Sequence, residues 1–113
     1  MTTVAFFADE EGRLLGFEAR GHTGYAHAGE DIVCAAVSAL TQSALYGLRE
    51  VAKIPVMFEQ EDDGATLIVM FRPEADAEDR AKGQILLRTL SGSLQAIAAD
   101  YPRNVRIRFT ERR

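Results

Sequence analysis

The spacing of apolar side chains changes period several times along the chain, and each change marks an element boundary. Residues 3–8 (TVAFFA) predict a strand, the run Asp9-Glu10-Glu11-Gly12 supplies turn chemistry, and residues 13–20 predict the returning strand, with Gly16 marking a bulge. Residues 21–30 hold three glycines and almost no apolar anchor, which predicts a loop whose backbone has many accessible conformations. From Asp31 onward the apolar positions recur at steps of three and four: Val33, Val37, Leu40, Ala44, Leu48 and Val51. That stripe predicts a helix capped at its start by the Asp31 carboxylate, complemented near its end by Lys53 and stopped by Pro55.

The second half repeats this order without evident sequence similarity. Val56 to Gln60 and Ala65 to Phe71 predict a hairpin across Glu61-Asp62-Asp63-Gly64, where Asp-Gly tolerates the positive φ of a tight turn. Glu74, Asp76, Glu78 and Asp79 then lead into a helix with the stripe Leu86, Leu90, Leu94 and Ile97, ending at Tyr101-Pro102. A last strand, Val105 to Phe109, alternates apolar and basic side chains. The order β-β-α-β-β-α-β predicts an α+β fold, with two helices packed on one face of a mainly antiparallel five-stranded sheet, in a single domain over residues 1–113.

Composition narrows the class. A chain of 113 residues with 47% hydrophobic content can bury a core without metal or disulfides, and its one cysteine cannot form an internal disulfide. No apolar run is read as approaching the roughly 20 residues of a membrane span, and the N-terminus lacks a signal pattern, so a cytoplasmic location is expected. The net charge of −4 argues against direct nucleic-acid binding. The arginines at 103, 106, 108, 112 and 113 are read as a solvated strand face and a basic end.

Candidate chemistry lies in one segment, from Gly21 to Ser38. Cys34 follows His22 on the glycine-rich stretch, and a thiol with an imidazole upstream suits nucleophile and general base. With Asp31 as cap, Cys34 falls at the third helical position, where unpaired amides and the helix dipole favour thiolate. Packing is the competing reading, because a small cysteine on an alanine-rich helix is often simply buried. His22, His27, Asp31 and Cys34 are zinc-type donors, but their spacing matches no compact zinc pattern, and no metal or other cofactor is expected. No Gly-Lys-Ser/Thr follows the glycines, so the loop is not a phosphate loop.

The segment GHTGYA at residues 21–26, followed by GEDIVCAAVS at 29–38, resembles the ribosomal-processing cysteine protease Prp family. The resemblance implies a homodimeric cytosolic endopeptidase that removes the N-terminal extension of a large-subunit ribosomal protein, cutting after paired phenylalanines. It implies Cys34 as nucleophile and His22 as general base and then acid, with Asp31 and Ser38 in supporting positions. Gly21, Gly24, Tyr25 and Gly29 would belong to a substrate loop that closes over the peptide, and the amide of Cys34 would help bind the oxyanion. Leu45 and Tyr46 are further candidates for an apolar cleft. Thr23 departs from the small residue expected there, and His27 inherits no role. The alternative from another class is a non-catalytic ribosome-assembly or protein-binding module of the same fold.

Overall fold

The chain runs β1 (Thr2–Ala8), β2 (Leu14–Arg20), α1 (Ala28–Tyr46), a π-helical turn (Gly47–Val51), β3 (Val56–Gln60), β4 (Thr66–Phe71), α2 (Ala77–Asp100) and β5 (Val105–Glu111). This computed structural model describes residues 1–21, 28–61 and 66–112, with side chains throughout except at 28–31. The strands form one sheet in the order β3-β4-β2-β1-β5. All pairings are antiparallel except that of β1 with β5, which is parallel. The α+β arrangement with a mainly antiparallel sheet is therefore the one the hydrophobic periods predict. The expected tight turn at Asp63-Gly64 lies outside the described residues.

Period-two alternation sends Val4 and Phe6 of β1, Phe17 and Ala19 of β2, and Leu67, Val69 and Phe71 of β4 into one core with the helices. Phe6 lies tilted against Phe17 at 6.1 Å and stacks on Phe109 at 5.6 Å, so aromatic contact ties β1 to both neighbours. Phe7 points to the opposite face and is nevertheless buried, with the Arg112 guanidinium 4.1 Å above its ring. One arginine of the basic C-terminal stretch thus covers an aromatic ring while remaining exposed.

The first hairpin carries its bulge at Leu15, beside Gly16, because Phe7 pairs with Gly16 and Ala8 with Leu14. Gly16 is needed for another reason: a β-carbon there would overlap the carbonyl oxygen of Val69 on β4. In the turn, Gly12 adopts φ 80°, and one oxygen of Asp9 accepts the amides of Glu11 and Arg13, both at 2.9 Å. The Arg13 guanidinium closes on the other Asp9 oxygen at 2.9 Å.

α2 begins with a reciprocal cap, Asp76 accepting from the Asp79 amide at 2.8 Å and Asp79 accepting from the Asp76 amide at 3.1 Å. Its buried face is Gly83, Leu87, Leu90, Ser91 and Leu94, so Leu87 takes the place expected of Leu86, which is only partly covered. Gly83 lets the helix approach the ring of Phe71, where a β-carbon would collide. The Gln84 side chain bonds both backbone groups of Leu14, at 2.8 and 2.6 Å, and fastens α2 to the start of β2.

Two expectations for the first helix are corrected. It begins at Ala28, three residues before Asp31, so Asp31 is an internal first-turn residue instead of the cap and the predicted 21–30 loop is shorter. Glu30 and Asp31 in that first turn suit the positive end of a helix, which favours the earlier start. At the other end, the i→i+5 bond from the Ala52 amide to Gly47 (2.8 Å) widens the last turn and rotates the apolar stripe. Val33, Val37, Ala44 and Leu48 are buried as predicted, but Val51 swings out to 72% exposure. Lys53 then takes a left-handed conformation, φ 56°, and ends the helix before Pro55.

The stretch Ile32–Val51 is long and apolar enough, by length and composition alone, to cross a membrane, contrary to the expectation that no run approaches that length. In this fold its apolar stripe faces the sheet and α2.

Leu87 is fully buried and Ile85, one turn-face away, is 70% exposed. Leu87→Ala should cost about 2–5 kcal/mol in urea unfolding, while Ile85→Ala should stay within about 0.5 kcal/mol. Partial desolvation pushes the Asp9 carboxyl up, but the hydrogen bonds and charge of Arg13 and the Glu11 amide outweigh it and hold the pKa below the usual value. A depressed carboxyl stabilises the fold above its unfolded pKa and loses that contribution as pH falls through the folded value. The thermal midpoint of Asp9→Asn should therefore lie below wild type near neutrality, and the gap should close below about pH 4.

Candidate active site

The strands and α1 bring three parts of the chain together at the start of β1. Cys34 is half-buried on α1, and its sulfur lies 3.4 Å from Oγ1 of Thr2, the first residue of β1. Gly21 follows the last residue of β2, and a β-carbon there would stand 3.3 Å from the same Oγ1. The Thr2 hydroxyl therefore contacts the thiol and faces the open side of Gly21, the residue immediately before His22. That junction is built by the sheet: β1 and β2 are antiparallel, with Thr3 opposite Arg20, so the end of β2 arrives beside the start of β1.

Helix α1 reaches the same place because its buried stripe fixes its rotation. Val33 and Val37 are buried, which places Cys34 at the border between core and solvent. Thr41, also buried, returns its hydroxyl to the carbonyls of Val37 at 3.0 Å and Ser38 at 3.2 Å. Ser38 lies one turn after Cys34 and is exposed.

Cys34 is the seventh residue of α1. Only the first four amides of a helix lack an intrahelical partner, and the dipole acts within the first turn. The expected use of the helix start to favour the thiolate, and of the Cys34 amide to bind an oxyanion, does not fit a helix that begins at Ala28. Both arguments assumed Asp31 as the cap.

Of the other predicted site residues, His22, Gly24 and Tyr25 lie outside the described residues, as does His27. Gly29 and Asp31 are described in backbone only, both inside α1. Of the two helical residues considered for an apolar cleft, Leu45 is core. Tyr46 is 64% exposed but lies twelve residues from Cys34 along the helix, about 18 Å. Neither can line a cleft at the thiol.

Thr2 was not anticipated, because the first strand was expected to begin at residue 3. The signal was present: with Val4 and Phe6 facing inward, period two puts Thr2 on the same face, a polar side chain in line with the core.

The fold thus presents one half-buried thiol on a helix, beside the strand end that leads in sequence to His22, and a thiol of this kind is the nucleophile type of thiol hydrolases. The chain matches the family described as cysteine protease Prp over residues 1–106, and it belongs to that family. It is 33% identical over 94 residues to the ribosomal processing cysteine protease Prp of Bacillus subtilis, covering 83% of this chain and 84% of the relative. It is also similar to two crystal structures of Prp, an essential ribosomal processing protease, from Staphylococcus aureus. The complex with a substrate peptide gives a TM-score of 0.84 at 24% identity, covering 97% of this chain and 100% of the other. The complex with a covalently linked product peptide gives 0.81 at 25% identity with the same coverage.

Proposed function

We propose that this protein is the processing endopeptidase that trims the N-terminal extension of a large-subunit ribosomal protein, with Cys34 as nucleophile and His22 as general base. The observation that carries the reading is the junction at Thr2, whose hydroxyl lies against the single cysteine of the chain and faces Gly21, the residue before His22. Family membership supports the same chemistry.

In this mechanism Cys34 gives up its proton to His22 and its sulfur attacks the scissile carbonyl. His22 then protonates the departing amine, leaving a thioester. Water, deprotonated by the same imidazole, releases the acyl product and restores the thiol. Asp31 and Ser38 support the pair, and Gly21, Gly24, Tyr25 and Gly29 contribute to the substrate loop. Oxyanion donors other than the Cys34 amide are required while α1 keeps its start at Ala28. The names of the B. subtilis and S. aureus relatives support a ribosomal substrate, and the family resemblance supports cleavage after paired aromatic residues.

The reading extends to a cytoplasmic homodimer that binds no nucleic acid. The net charge of −4 supports the last point. The outward side of α1, with Ile32 and Tyr46 exposed, offers apolar surface to a second copy. A monomeric mass by light scattering at micromolar concentration would contradict the dimer.

The deciding experiment is cleavage of a peptide that carries the extension and its junction. Cys34→Ala and His22→Ala should each lower the rate by roughly a thousandfold or more while circular dichroism stays native. Cleavage by Cys34→Ala at the wild-type rate would refute the assignment.

A further inference from the structure

The hydroxyl beside the thiol is held from several sides. Thr2 is 4% exposed, its amide donates to the Asn104 carbonyl at 2.8 Å, and it pairs with Val105 of β5. Gly21, just after β2, faces the Thr2 side chain and leaves room for it, since a β-carbon there would stand 3.3 Å from Oγ1. The Cys34 sulfur, 3.4 Å from Oγ1, is within reach of a hydrogen bond to sulfur.

We propose that Thr2 is a positioning residue for the nucleophile: its hydroxyl donates to the Cys34 sulfur when that sulfur is ionised, fixing the direction of the thiolate. This rests on the reading of Cys34 as nucleophile. While the sulfur is protonated, either group can donate; once it is a thiolate, only the hydroxyl can.

Other charged and titratable groups flank the junction along the chain. Glu30 and Asp31 precede Cys34 on α1, the α-amino group of Met1 precedes Thr2, Arg20 and His22 flank Gly21, and Arg103 leads into β5. All of them are unchanged when only Thr2 is replaced, so a difference between variants belongs to the hydroxyl.

Valine matches threonine in shape and suits a strand, so Thr2→Val removes the donor with little loss of packing. In Thr2→Val, kcat for the extension peptide should fall roughly three- to tenfold while KM holds, and Thr2→Ser should restore it. Thr2→Ala gives the same comparison should valine disturb the fold. Wild-type kcat in either folded hydroxyl-free variant overturns the role of Thr2. Retained cleavage by Cys34→Ala would instead overturn the reading of Cys34 as nucleophile on which this role rests.

Discussion

Burial of β1 between an antiparallel and a parallel neighbour is the constraint on which the rest of the molecule depends. Val4 and Phe6 are without solvent exposure, and Phe6 meets aromatic rings from both sides. Burying such side chains contributes about 1.5–3 kcal/mol each. Its first residue is held as well: Thr2 is buried and pairs with Val105 of β5. Thr2 consequently presents a hydroxyl at a defined point, against which the ends of other elements can be placed.

Two helices complete that arrangement in different ways. α2 is locked at its N-terminus by the Asp76–Asp79 cap and along its length by Gln84 and by leucines against the sheet. α1 carries smaller side chains and ends in a widened turn. Cys34 sits on α1 at the edge of the core without being sealed inside it. The half-buried state of Cys34 follows from its place next to Val33 on that edge.

Most of this fold was legible in the sequence because local period and burial agree. The two hairpins, both helices and the inward set Val4, Phe6, Phe17, Val33, Val37 and Leu48 follow from alternation or from steps of three and four. What was not legible depends on geometry that a regular period does not carry. Val51 is exposed because the π-helical turn shifts the helix face, and Leu87 replaces Leu86 because Gly83 and Phe71 set the rotation of α2. The start of α1 was misplaced because an aspartate looks the same to a sequence pattern whether it caps a helix or sits in its first turn. Cys34 stood out as the lone thiol, while its role came from the resemblance. Thr2 was passed over because a threonine at a strand end looks ordinary until the opposite element is known.

The parallel pairing of β1 with β5 has an implication for how the protein comes to exist. Thr2 meets Asn104 and Val105 across a sequence separation that takes in both helices and both hairpins. Such a distant pairing forms late, since loop closure must precede the contacts that reward it. The junction beside Cys34 therefore depends on a contact that closes a loop of roughly a hundred residues, and the place of Thr2 is tied to completion of the sheet at β5.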